Sequence, residues 1–166
     1  DIELGPEMRS TGEVMGIDTD LGIAFAKTQF GAGINLPFSG KIFFSVRDAD
    51  KRYGVSLAKR LVSAGLQIVS TEGTARALRN NGVPVEAIHK ISEGRPNVLD
   101  LIMNGEIRLI INTVSGHKAR ADEARIRGTA VAHNVPCITT ISGAEAAIGG
   151  IESIRARDGV HARALQ

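Results

Sequence analysis

From residue 41 onward, short unbroken apolar runs alternate with stretches in which apolar residues recur every three or four positions. The runs are Lys41-Ile42-Phe43-Phe44-Ser45-Val46, residues 66–70, residues 85–88, Ile107-Arg108-Leu109-Ile110-Ile111-Asn112 and residues 135–139. They are short and bounded by turn formers, which predicts strands, and the run at 107–112 is apolar enough to be covered on both faces. Helical periodicity fills the intervals. Residues 48–64 place Val55, Ala58, Leu61 and Val62 on one face and end at Gly65. Further helices are expected over 73–80, closed by Asn81-Gly82, and over 97–104, closed by Gly105, then over 118–134 and 142–154. Five strands alternating with five helices predict an α/β fold, a three-layer doubly wound five-stranded parallel sheet of Rossmann/flavodoxin-like type.

Residues 1–40 carry a different pattern. The first 13 have no clear period and many turn formers. Asp18 or Thr19 is expected to cap a short helix with Leu21, Ala24, Phe25 and Thr28 on one face, ended by Gly31 and Gly33, and residues 35–40 read as a linker. This segment is not expected to fold alone. A division at residue 40 into a leading piece (1–40) and an α/β domain (41–166) follows, and a chain that begins at Asp1 is expected to be part of something larger.

Composition narrows the function classes. A hydrophobic content of 43% over 166 residues supports one sizeable core, and only 4% aromatics with no Trp suits aliphatic α/β packing. With 20 basic and 18 acidic residues the net charge is +2, which argues against a nucleic-acid surface. No membrane-length apolar run is present, and the single cysteine, Cys137, cannot form an internal disulfide, so a reducing, cytoplasmic setting is expected. Cys137 sits within an apolar strand and reads as a buried thiol. The four histidines show no metal-ligand spacing, so no metal site is expected.

In open parallel sheets, ligands bind beyond the carboxyl ends of the strands. Polar residues gather there: Ser45, Asp48, Asp50 and Lys51 after the first strand, Thr71, Gly73 and Thr74 after the second, Lys90, Glu93 and Arg95 after the third, Asn112, Thr113, Ser115 and Gly116 after the fourth, Thr139, Thr140 and Ser142 after the fifth. The turn Ser70-Thr71-Glu72-Gly73-Thr74-Ala75 joins a strand to a helix, where free N–H groups and the helix dipole favour an anion; the same residues also suit a plain helix cap, and at this point both readings stand. Asp48 and Asp50 are expected to cap the helix they open. Glu93 and Asp100 are candidate general bases. Lys118, Arg120, Arg125 and Arg127, interleaved with Asp122 and Glu123, read as a solvated helix face. No Walker A or dinucleotide fingerprint is present, which excludes a purpose-built ATP or NAD site of those kinds.

Four ordered motifs, Ser45-Val46-x-Asp48-x-Asp50-Lys51, Ser70-Thr71-Glu72-Gly73-Thr74-Ala75, Lys90-Ile91-Ser92-Glu93-Gly94-Arg95-Pro96-Asn97 and Ile111-Asn112-Thr113, resemble the methylglyoxal-synthase-like fold. Within it, the chain is most similar to the C-terminal allosteric domains of carbamoyl-phosphate synthase large subunits, because residues 4–16 resemble the end of that subunit's second ATP-grasp synthetase unit. The resemblance implies a regulatory module that binds a nucleoside monophosphate, UMP or IMP, and is not itself catalytic. It places effector contacts on Ser45, Lys51, Thr71, Gly73, Thr74, Lys90, Arg95, Asn112 and Thr113. Val114 stands where enteric relatives have a hydroxyl. Cys137 and Thr139 stand where they have the Tyr and Thr that touch ornithine, leaving Thr139 as the ornithine-side position. The implied parent is a glutamine-dependent ligase. It uses ATP with Mg or Mn and K to make carbamoyl phosphate for arginine and pyrimidine biosynthesis, with a glutaminase small subunit as partner. A methylglyoxal-synthase-type lyase acting on dihydroxyacetone phosphate is the alternative. It needs a catalytic Asp in the loop that here reads Glu93-Gly94-Arg95, with Arg95 at that position. An IMP cyclohydrolase domain has a similar turn, but its Lys-Thr-Leu-His-Pro-Lys motif is absent.

Overall fold

The computed structural model describes residues 14–113 and 117–157, the first four of the second stretch by their backbone. The motif resembling the end of an ATP-grasp unit therefore lies largely outside the described residues, as do Val114, Ser115 and Gly116. The elements run α1 (Leu21–Gly31), β1 (Lys41–Ser45), a 3-10 turn (Asp48–Asp50), α2 (Lys51–Ser63), β2 (Gln67–Thr71), α3 (Glu72–Arg79), β3 (Glu86–Ile88), α4 (Val98–Met103), β4 (Ile107–Asn112), α5 (His117–Ala132), β5 (Cys137–Ile138) and α6 (Ile141–Arg157). All five strands pair in parallel, in the order β3-β2-β1-β4-β5. The chain builds outward from β1 to β3, then returns through α4 to lay β4 on the other side of β1. The switch in strand order lies between β1 and β4, as the doubly wound expectation requires.

The apolar runs are buried on both faces because alternate side chains enter different cores. Ile42, Phe44, Ile68, Leu109 and Ile111 pack with α2, α3 and α6 on one side. Phe43, Val69 and Ile110 pack with α4 and α5 on the other. The β1–β4 register pairs Lys41 with Ile107 but Ile42 with Leu109, so Arg108 is an extra residue on β4. That bulge sends Ile107 to the α4–α5 side, although strict alternation with Leu109 would have put it on the opposite one.

Helix α1 departs from the sequence expectation. Its cap is Asp20, whose carboxylate accepts from the Ile23 N–H at 2.9 Å, and its buried residues are Ile23 and Ala26. Leu21, expected on the packed face, is 83% exposed. The cause is tertiary. At the crossing of α1 and α6, a β-carbon on Gly22 would lie 2.6 Å from the Gly149 carbonyl oxygen, and one on Gly150 would lie 3.0 Å from that of Gly22. This glycine contact, not helical periodicity, selects the face. Ala26 and Leu36 join the core shared by α2 and α6, so the leading segment packs into the domain. The fifth strand is also shorter than expected, Cys137–Ile138 rather than 135–139.

Candidate functional site

Three adjacent strands end together at the switch point. Ser45, the last residue of β1, pairs with Asn112, the last of β4. Its hydroxyl lies 3.3 Å from that of Thr71 at the end of β2. Beyond the sheet, Thr113 N–H donates to the Ser45 carbonyl at 3.1 Å, and Arg47 N–H donates to the Thr113 hydroxyl at 3.1 Å, tying the loops after β1 and β4. A cleft of about 220 Å³ opens over these ends. Its polar lining includes Ser45, Arg47, Thr71, His89, Lys90, Asn112 and Thr113, and its apolar lining Phe43, Ile91, Val98 and Ile126. Asn112 is only 8% exposed, and its side-chain amide has no hydrogen bond among the described residues, so it is left to the cleft.

The turn that suits either an anion or a cap is not a side-chain cap. Thr71 occupies the N-cap position of α3 without a capping hydrogen bond from its side chain. Ser70, fully buried, donates instead to the Phe44 carbonyl at 2.5 Å. Thr74 departs from its expected role. Its hydroxyl accepts from Val46 N–H and donates to Val46 O, both at 3.2 Å, and is a strut between β1 and α3. Gly73 faces open space in which the nearest group is the Lys51 ammonium, 4.0 Å from where a β-carbon would sit. Lys51 thus stands beside the start of α3, at the rim rather than in the lining.

Among the described residues, Arg47, Lys51 and Lys90 each have a carboxylate partner. Arg47 Nε meets Asp50 at 2.8 Å, Lys51 meets Asp48 at 2.6 Å, and Lys90 meets Glu93 at 2.8 Å. The hydrogen bond from each cation, followed by other local contacts, holds the three carboxyls below their ordinary pKa. Asp48 and Asp50 are therefore ion-pair partners and not the side-chain caps expected of them. Asp100 closes a capping box, accepting from Asn97 N–H at 2.9 Å, and pairs with Arg95. Arg95 itself is 77% exposed and does not line the cleft.

Thr139 does not line the cleft. With Thr140, Ile141 and Ser142 it lines a neighbouring hollow of about 330 Å³ that shares Arg47 and Thr113 with the main cleft. Cys137 packs against the α4–α5 core, and burial pushes its thiol up, away from thiolate chemistry. Among the described residues, no three His, Cys, Asp or Glu side chains are placed to hold a metal ion.

Arg47 and His89 were not singled out in the sequence, yet each lies within two residues of a strand's end, and the carboxyl-end rule applied without a motif filter would have included them. Asp122 and Glu123 correct a reading. Expected on a solvated helix face, they line the cleft with Ile126. No local signal marks them, because α5 reaches the site only through the crossover.

A family model described as the MGS-like domain matches residues 54–139, more than half of the chain. The chain belongs to the MGS-like domain family. The chain is 51% identical over 155 residues to the carbamoyl phosphate synthase large chain of Rhodopirellula baltica, covering 93% of this chain and 14% of that one. It is 50% identical over 153 residues to the carbamoyl phosphate synthase large chain, C-terminal section, of Methanocaldococcus jannaschii, covering 92% of this chain and 25% of the relative. The chain thus spans only a small part of the length of its curated relatives. In fold it is similar to a solved methylglyoxal synthase from Elizabethkingia anophelis, with a TM-score of 0.55 at 19% identity over 68% of this chain and 79% of that one. The methylglyoxal-synthase-like architecture expected from the motifs is the one observed.

Proposed function

We propose that this MGS-like domain is the regulatory unit of a carbamoyl phosphate synthase large chain and binds a nucleoside monophosphate, UMP or IMP, in the cleft at the carboxyl ends of β1, β2 and β4. The observation that carries this reading is the convergence of Ser45, Thr71, Lys90, Asn112 and Thr113 on one cleft at the switch point, beside the Lys51–Gly73 rim. A phosphate dianion at that rim meets the Lys51 ammonium, the Thr71 hydroxyl and the free N–H groups of the first turn of α3. Thr74 contributes its backbone there, its hydroxyl being engaged in the frame. Lys90 closes from the loop after β3 and Arg47 from the loop after β1, both in the lining of the cleft. The Asn112 amide can both donate and accept toward a base or sugar, and the apolar side formed by Phe43, Ile91, Val98 and Ile126 suits a ring. Asp122 and Glu123 would repel phosphate but accept from ribose hydroxyls, which orients the ligand with its phosphate toward α3.

Catalysis of the methylglyoxal-synthase type needs a carboxylate free to take a proton. In the loop where that reaction would place its base, Lys90 makes Glu93 a weaker base, Asp100 is spent on the capping box, and Arg95 cannot act as a base. The domain is accordingly a sensor, and its parent's ATP, metal ions, synthetase units and glutaminase partner belong to chemistry elsewhere. The effector acts on the parent only through its difference in affinity for two arrangements of the enzyme.

A thermal-shift titration of the 166-residue chain with UMP, IMP, uridine, ornithine and N-acetylglutamate tests the reading. A nucleotide at ~100 times its dissociation constant should add about 2.7 kcal/mol of stability. Equal stabilisation by uridine and UMP would remove the phosphate seat. A response to ornithine alone would move the site to the Thr139 hollow. Formation of methylglyoxal from dihydroxyacetone phosphate would restore the lyase reading.

A further inference from the structure

Two cations that line the cleft, Arg47 and Lys90, and one at its rim, Lys51, share an arrangement that the binding proposal does not require. Arg47 with Asp50, Lys51 with Asp48 and Lys90 with Glu93 are each joined to a carboxylate three residues away in the same loop or turn. Two of these pairs follow β1 and one follows β3, so the same device occurs on two separate loops. Glu93 grips its lysine twice, accepting from the Lys90 ammonium at 2.8 Å and from the Lys90 backbone N–H at 3.2 Å. Asp50 is the most enclosed of the carboxylates, 15% exposed against 94% for Asp48.

Resting on the nucleotide reading above, we infer that Asp50, Glu93 and, more weakly, Asp48 are built-in competitors that set the affinity of the cleft for anionic ligands. A ligand phosphate must take Arg47, Lys51 or Lys90 from a carboxylate already in hydrogen-bond range. Exchange is favourable for a dianion, which brings more charge and more acceptor oxygens than the group it displaces. It is nearly neutral for a monoanion. The cleft therefore discounts every anion by a fixed amount and retains those of highest charge. Pairs this exposed are individually weak, so each competitor should change affinity by a small factor, and the enclosed Asp50 by the largest.

The test is isothermal titration of the full chain and of its Asp50→Asn, Glu93→Gln and Asp48→Asn variants with UMP, with uridine 5′-carboxylate and with uridine. UMP should bind about two- to five-fold tighter to Asp50→Asn and Glu93→Gln, and least changed to Asp48→Asn. The carboxylate should gain less than UMP, and uridine should not change. Equal gains for uridine would show general loosening and overturn the inference, as would unchanged or weaker UMP binding in both Asp50→Asn and Glu93→Gln. Failure of the unaltered chain to prefer UMP over uridine would instead overturn the nucleotide reading itself. The circular dichroism melt of each variant identifies one that has lost its fold, and the exposed Glu93→Gln then decides alone.

Discussion

Hydroxyl groups that look alike in the sequence do different work here. Ser70 and Thr74 are buried and spend their hydroxyls on β1, on the Phe44 carbonyl and on both polar groups of Val46. Ser45 and Thr71, one strand end further on, face each other across the cleft floor. Replacing Thr74 with Val keeps the shape but strands the Val46 N–H and C=O, which should cost about 1–3 kcal/mol in urea denaturation. Corrected for that loss, UMP affinity should be nearly unchanged, which separates a strut from a ligand. Lys90→Ala should weaken UMP by about 10- to 100-fold, the range of a hydrogen bond to a charged group, while Asn112→Ala should cost about 2- to 10-fold. Titration calorimetry reads both, and equal losses for uridine would place Lys90 away from the phosphate. The strand-end position of these residues is legible in the sequence. The division of labour among them is not, because it depends on which hydroxyl is within reach of a neighbouring strand.

At the scale of elements, the crossing of α1 on α6 leaves no room for a side chain. Gly22→Ala should gain about 0.5–1 kcal/mol of helix propensity. Against this, its methyl would stand 2.6 Å from the Gly149 carbonyl oxygen, on backbone that cannot rotate away. Overpacking of this kind costs about 1–3 kcal/mol, so the net effect should be destabilising, seen as a lower urea midpoint with little change in slope. A stabilised variant would show that the helices separate freely. The packing of α6 on α2 is held differently. Arg60 on α2 makes two hydrogen bonds to Glu152, at 2.9 and 2.6 Å, a fork that fixes how α2 and α6 lie together. Helix periodicity located α3 and α4 to within a residue and the end of α2 likewise, while the first three residues expected in α2 form the 3-10 turn. It failed for the face of α1 because the helix carries apolar residues nearly all round, and the partner chooses among them.

Over the whole molecule, several carboxyls lie below their ordinary values. Asp20 is lowered first by the Ile23 N–H it caps, Asp50 first by Arg47, and Glu106 first by Lys41. Each contributes stability that is complete above the unfolded-state pKa, 3.8 for Asp and 4.5 for Glu, and is lost as pH falls through the lower folded-state value. The melting temperature should therefore fall between about pH 5 and pH 2. Asp20→Asn, which keeps an acceptor at the cap but cannot titrate, should flatten that fall. An unaltered slope would remove Asp20 from the account.

By itself the sequence determined the alternation of strands and helices, the parallel sheet, the double burial of its central strands and the family motifs, because each is written in short-range periodicity or in residues a few positions apart. It also determined that polar groups cluster after the strands. Only the tertiary structure decided that β4 returns beside β1, which brings Ser45 to Asn112 and creates the cleft. It alone turned Asp122 and Glu123 into that cleft, withdrew Thr74 and Arg95 from its lining and packed α1 glycine to glycine on α6. These outcomes depend on residues far apart in the chain, and their contacts have no counterpart in any local pattern.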